Sequence, residues 1–236
     1  MEFQNLKLEK AVIEIRYPKA YLLWDRAGSL WTTVLKNWPA LNNIEANPSK
    51  TVFRLDLEAV YELVVEFEAA RIVAHRPKQN LVEFQSIVST FLAIIAEMLN
   101  IEQFARVGFR LIYSHETATR EAADELITHM NLIRVPEGQY FGLQKKTISP
   151  ALTVKFTGEE VGATVRINSQ TQVIDFVPAP GFFEIEAINK QSHRVLFDVD
   201  YFTIATVDVS QMNFTEWISQ IYHLIKRDSN QFLKGS

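Results

Sequence analysis

Several stretches of this chain alternate between apolar and charged residues, and that alternation constrains its fold more than any other feature. In "AVIEIRY" (11–17), Ile13, Ile15 and Tyr17 fall on one side and Glu14 and Arg16 on the other. A period of two marks a strand with one face in a core and the other outside it. "FARVGFRLIY" (104–113) and "RVLFDVDYFTIA" (194–205) divide in the same way. Collected over all such runs, one face holds Ile13, Ile15, Phe53, Leu55, Leu63, Val65, Phe67, Val107, Phe109, Leu111, Val165, Ile167, Phe197 and Val199. The other holds Glu14, Arg16, Arg54, Asp56, Glu62, Glu66, Glu68, Arg106, Arg110, Arg166, Asp198 and Asp200, interleaved with Val64 and Gly108. A sheet with one apolar face needs helices to cover that face.

Helices of the required kind are legible. Leu23, Ala27, Leu30, Trp31, Val34, Leu35 and Trp38 form a stripe of helical period that stops before Pro39. A second stripe, Leu81, Phe84, Val88, Phe91, Ile95 and Met98, follows Asn80 and Glu83, an Asn-led variant of the capping box. Residues 119–130 form a third helix, and 214–227 a fourth, again led by Asn213 with Glu216. The second and fourth helices align without a gap, Trp217 on Phe84, Ser219 on Ser86, Ile221 on Val88 and Ile225 on Leu92. Strand-like runs lie near 51–57, 60–68 and 70–75, then at 151–157, 161–167, 171–177 and 182–188.

The order strand, helix, antiparallel strands, long helix therefore occurs twice. We expect an α+β protein of two repeats, 1–103 and 104–236, with insertions near 131–150 and 169–192 in the second, joined into one structural unit. In element order this resembles the TATA-box-binding-protein fold, which implies a curved antiparallel sheet with helices on one face. Residues 81–99 and 214–227 should then pack on the same side of the sheet.

Composition removes several function classes. The chain has 236 residues and no cysteine, which excludes disulfides, thiolate nucleophiles and Cys-based metal centres. Its formal net charge of −4 disfavours a nucleic-acid binder, whose affinity rests on a Lys/Arg excess. The start "MEFQNLKLEKAVIEIRY" does not read as a signal peptide. The longest apolar-rich stretch, 81–101, is interrupted by Glu83, Gln85, Ser86, Ser89, Thr90 and Glu97, too polar for a bilayer span. A cytoplasmic protein with no membrane association is the expectation. His75, His115, His129, His193 and His223 are scattered, without the spacing of a local metal pair. The phosphate-loop, dinucleotide and hydrolase-elbow motifs are absent from the sequence, so no cofactor is implied. "AHRPKQN" (74–80) gathers His75, Arg76 and Lys78 before a helix start, where an anion would be favoured. A solvated basic turn is the simpler reading.

The candidate site is the charged face. In one reading, cross-strand pairs decorate a solvated surface. In the other, Arg16, Arg106, Arg110 and Arg166 fork onto an anionic ligand, while Asp198 and Asp200 hold a divalent ion or a polar ligand. The two aspartates stand two apart on one strand face, roughly 6.5–7 Å at their bases. A hard cation would need further oxygen ligands, and the neighbouring arginines compete for the carboxylates. We therefore predict that Asp198 and Asp200 pair with Arg16, Arg106 or Arg110 and hold no metal. A charged, duplicated sheet also invites comparison with the triphosphate tunnel enzymes of the CYTH type, but Glu184 and Glu186 are followed by Ile188, with Lys190 two further on, where the pattern Glu-x-Glu-x-Lys wants lysine. Tyr140, Phe141, Phe182 and Phe183, in the two insertions, are candidates for a partner-binding or dimerising edge.

"AVIEIRYP", "RVGFRLIYSH" and "VLFDVDYF", followed by a terminal helix with Trp217 and His223, resemble the three blocks of a sporadically distributed bacterial family of uncharacterised proteins. Glu14, Arg16, Arg106, Gly108, Arg110, Asp198 and Asp200 fall in those blocks. The resemblance implies a bacterial cytoplasmic protein and carries no activity. The expected function is a non-enzymatic binding or protein-interaction module, self-associating or binding another protein, with an anionic small molecule as a further candidate. The alternative is a metal-assisted enzyme or sensor for a phosphate-bearing small molecule at the charged face.

Overall fold

The alternating stretches pair into one antiparallel sheet. The computed structural model describes residues 2–47, 49–78, 81–133, 149–176 and 188–234. Its first half runs β1 (Lys7–Arg16), α1 (Leu22–Asn37), β2 (Asn42–Asn47), β3 (Lys50–Asp56), β4 (Val60–Glu66), β5 (Ala69–His75) and α2 (Val82–Met98). The second runs β6 (Gln103–Phe104), β7 (Arg106–Thr117), α3 (Arg120–His129), β8 (Ala151–Thr157), β9 (Val161–Phe176), β10 (Ile188–Thr203), β11 (Val207–Asp208) and α4 (Phe214–Phe232). Nine strands form the main sheet in the order β2-β3-β4-β5-β1-β7-β10-β9-β8, and β6 with β11 forms a small second one. The α+β class is as expected. Strand β1 of the first half and β7 of the second lie side by side at the centre.

The register explains why one face is apolar. Ile13 stands opposite Ile72 on one side and Phe109 on the other, and Val199 stands opposite Leu111 and Val165. All of these are buried. They join one core with Leu23, Leu30 and Val34 of α1, Phe84, Val88 and Phe91 of α2, Ala123 and Ile127 of α3, and Ile218, Ile221 and Ile225 of α4. The four helices thus cover a single face. Helices α2 and α4 touch directly, with Gln85 Nε2 donating to Ser219 Oγ at 2.7 Å and the Ser89 and Thr215 hydroxyls 2.9 Å apart. Residues 81–99 and 214–227 thus pack on the same side of the sheet, as expected. Phe67 departs from the expected core set: it lies in the turn after β4, half-buried, with its ring against Tyr21 and Trp24.

Several boundaries differ from the sequence reading, each for a physical reason. The runs at 161–167 and 171–177 are one strand, β9, because pairing with β10 continues from Val161–Thr203 to Phe176–Ile188 without a break. Of the insertion near 169–192, the described residues are the outer parts of β9 and β10, carried past their neighbours β8 and β7, whose pairing ends at Asn168 and His193; the run at 182–188 lies outside the described residues except for Ile188, which opens β10. Strand β2, "NNIEAN", lacks the alternation that marks the others, and pairing with the edge of β3 makes it a strand. At α2 the capping box expected of Asn80 with Glu83 falls in part outside the described residues. Leu81 occupies the N-cap in the left-handed region (φ 53°) and makes no side-chain cap. Its burial offsets that backbone strain, and Glu83 instead accepts from the Tyr61 hydroxyl at 2.8 Å. Asn80 itself lies outside the described residues. At α4 the cap is present, Asn213 Oδ1 accepting from the Glu216 amide at 3.2 Å.

Candidate functional site

The face left open by the helices is built on five neighbouring strands, β5, β1, β7, β10 and β9. Cross-strand register sets its rows. Arg71, Glu14, Gly108, Phe202 and Gly162 form one row. Val73, Val12, Arg110, Asp200 and Thr164 form the next, and His75, Lys10, Ile112, Asp198 and Arg166 the one beyond. Arg16 and Arg106 lie opposite each other at the near end. Because side chains two apart on a strand share a face, each row stands roughly 7 Å from the next.

Glycine decides how these rows interlock. A Cβ on Gly108 would sit 2.6 Å from Arg106 Nη1, and one on Gly162 would sit 2.8 Å from the Phe202 ring. Arg106 therefore lies flat over Gly108, passes that row, and donates from Nη2 to Asp200 Oδ2 at 2.9 Å. On the way its guanidinium stacks on Phe202, 4.6 Å from the ring centroid. The ring in turn occupies the space over Gly162. We expect Gly108→Ala to push Arg106 off this path and to lower stability by about 1–2 kcal/mol, at the lower end for an overpacked site because the obstructing atoms end a flexible side chain. Chemical denaturation would measure it. Arg106→Met, which has no guanidinium to displace, should remove most of the penalty.

The predicted aspartate–arginine pairing is present. Arg110 forks onto Asp198, Nε to Oδ1 and Nη2 to Oδ2, both at 2.7 Å, and Arg166 Nη1 adds a third bond to Oδ2 at 3.1 Å. Asp198 is 7% exposed, whereas the side chains of Arg110 and Arg166 are 43% and 40% exposed and lie over it. The bond to Asp198 holds the Arg110 guanidinium above its ordinary pKa. Asp200 behaves oppositely: burial pushes its carboxyl up, and the neighbouring Arg106 only partly counters this. Arg16 takes no part in these pairs; its Nε bonds Glu14 Oε1 at 3.0 Å, and Arg106 Nη1 approaches the same oxygen at 3.7 Å.

Of the residues proposed from sequence, Arg106, Arg110, Arg166, Asp198 and Asp200 form one network, and Arg16 borders it. Beside them runs a groove of about 530 Å³ whose lining includes Lys10, Val12, Glu14, Arg16, Glu62, Arg71, Val73, His75, Arg106, Arg110 and Asp200. It faces five cationic side chains and three carboxylates, and no ion pair of Lys10 or Arg71 is found among the described residues. Lys10, Arg71 and His75 are absent from the sequence-derived site. Their signal is parity: Lys10 continues the series Val12, Glu14, Arg16, and Arg71 shares a face with Val73 and His75. Glu62 Oε1 lies 3.2 Å from His75 Nε2, yet outside hydrogen-bond geometry, so this solvent-shielded nitrogen has no partner among the described residues.

Other sequence candidates do not converge. In the basic turn, Lys78 pairs with Glu58 at 2.6 Å and Arg76 approaches Glu9 at 3.6 Å. Glu184, Glu186, Tyr140, Phe141, Phe182 and Phe183 lie outside the described residues. No cluster of three or more metal-ligating side chains occurs among the described residues, and the Asp198 oxygens are occupied by arginines. No helix is long and apolar enough to cross a membrane among the described residues. A larger groove of about 870 Å³ lies between β8, β9, β10 and the end of α4; its lining is mostly apolar, including Phe156, Val165, Val199 and Phe232, with Lys155, Asp228, Ser229 and Gln231 among its polar residues. Comparisons with known family models, with curated proteins and with solved structures gave no match.

Proposed function

We propose that this chain is a non-enzymatic binding module whose open sheet face takes an anionic small molecule. The observation that carries the reading is the local excess of cations in the groove, including Lys10 and Arg71, on a chain whose overall charge is −4. Association of an anion there is favoured by local field rather than net charge. Asp198 and Asp200 are engaged as acceptors for arginines, which supports a scaffold role for them and weighs against the metal-assisted alternative.

The strand order also supports reading the fold as two fused repeats, 1–103 and 104–236. On one side of the centre β1 is followed by β5, β4 and β3; on the other β7 is followed by β10, β9 and β8, the same order counted outward. This is the arrangement that a TATA-box-binding-protein-like element order implies. Membership of the sporadically distributed bacterial family, self-association and a cytoplasmic location complete the proposal and rest on the sequence features already given.

A thermal-shift screen of the full chain against polyphosphates, nucleotides, magnesium and calcium tests the reading. A ligand at 100 times its Kd should add about 2.7 kcal/mol, which for a chain of this length raises Tm by roughly 5–10 °C. The anion arms should give such a rise and the cation arms none. A rise with magnesium or calcium that disappears in the Asp198→Asn, Asp200→Asn double variant would establish the metal-assisted alternative instead. Duplex DNA should show no submicromolar, salt-sensitive binding in a gel-shift series.

A further inference from the structure

We infer that the groove takes a phosphate ester of a flat heterocycle, of the size of a nucleoside monophosphate, in one orientation along β1 and β5. This rests on the reading of the open face as an anion site and names the ligand class and the residues that hold it. The groove is not uniform along its length. Its floor is the cross-strand pair Val12 and Val73, two apolar side chains with no charge to offer. On one side of that floor stand Arg71, Glu14, Arg16 and Arg106; on the other stand Lys10 and His75, with Glu62 beside Val73 on β4. The two charged ends are separated by four residues of strand, about 13 Å at the bases. An inorganic phosphate would fill one end and leave the floor bare.

The ends differ in chemistry. At the first, three guanidiniums meet two carboxylates: Glu14 is bonded by Arg16 and approached by Arg106, which is held by Asp200, while Arg71, directly opposite Glu14 on β5, has no ion pair among the described residues. This surplus, in planar donors suited to two-pronged bonds, fits a phosphate dianion. At the second end, Lys10 is a donor and Glu62 an acceptor, with Glu62 Oε1 lying 3.2 Å from the solvent-shielded Nε2 of His75. A mixed donor and acceptor set reads the polar edge of a heterocycle better than it binds a second phosphate. Between the ends, a planar ring on Val12 and Val73 removes apolar surface from water, which free phosphate cannot do. The volume of about 530 Å³ lies in the range of small-molecule sites.

The network of Asp198 and Asp200 is then the wall that holds the site. Arg110 lies beside Val12 in register, and its bond to Asp198 fixes the flank of the groove nearest β7.

The test is isothermal titration of the full chain with AMP, GMP, CMP and UMP, with inorganic phosphate, with pyrophosphate, and with the parent nucleosides. At least one monophosphate should bind tenfold or more tighter than phosphate, pyrophosphate or its own nucleoside. Arg71→Gln should weaken that ligand at least tenfold and Arg71→Lys less, while Lys78→Gln, in the basic turn already paired with Glu58, should leave it unchanged. Glu62→Gln should change the ranking of the four bases more than the affinity for pyrophosphate. Circular dichroism melts of each variant establish that it is folded. If phosphate or pyrophosphate binds as tightly as the best nucleotide, or if Arg71→Gln has no effect, this inference fails while the anion-binding reading stands. If none of the anions binds, both fail.

Discussion

Phe109→Ala is expected to destabilise the protein by about 3–5 kcal/mol, the range for removing a fully buried aromatic ring from a core. Phe109 sits at the middle of β7, opposite Ile13 of β1 and Tyr201 of β10, and is completely buried. Its ring lies nearly parallel to that of Phe84 on α2, with centroids 6.0 Å apart. The substitution would therefore open a cavity where the central strands meet the helix layer, and neighbours held on both sides by ladder hydrogen bonds cannot collapse into it. Urea denaturation should show a lower midpoint at unchanged slope. A loss under 1 kcal/mol would mean that the two halves do not share one core at this point.

Asp198→Asn should cost about 2 kcal/mol. Removing one member of a fully buried pair costs more, about 3–5 kcal/mol, but Arg110 and Arg166 keep roughly two fifths of their side-chain exposure and can turn to water. Asparagine retains one acceptor where the carboxylate takes three bonds. Asp200→Asn should cost much less, because burial already disfavours the charge it removes. The pH dependence separates the two. A carboxyl whose folded pKa is raised binds its proton more tightly in the folded state, so its contribution to stability is full below the unfolded value near 3.8 and is lost as pH rises through the raised folded value. Asp200→Asn should thus gain on the unmutated protein over that interval and then level off. Denaturant titrations at a series of pH values measure both effects, and equal costs for the two substitutions would overturn the division of roles.

The alternation at 11–17, 104–113 and 194–205 was enough to place β1, β7 and β10, because a period of two with one apolar face has few other uses in a folded chain. It also sorted Arg106, Arg110, Arg166, Asp198 and Asp200 onto one face, and competition between arginines and a cation for the same carboxylates anticipated the pairs Arg110–Asp198 and Arg106–Asp200. Where local pattern and tertiary pairing differ, the reading failed. Strand β2 is made by its neighbour β3, and β9 runs through a polar stretch because β10 accompanies it.

What the sequence determined by itself is the class of each element and the face on which each side chain falls, since both follow from period along a single segment. Which strands stand next to one another is a property of distant parts of the chain and is fixed when the sheet assembles. That choice set β5 beside β1 and β7 beside β10. Lys10 and Arg71, unremarkable in their own segments, thereby came to share a groove with His75, Arg106 and Arg110. The same choice laid Arg106 across the bare backbone of Gly108 to reach Asp200, a contact that depends on a missing side chain and on a strand 94 residues away in the chain.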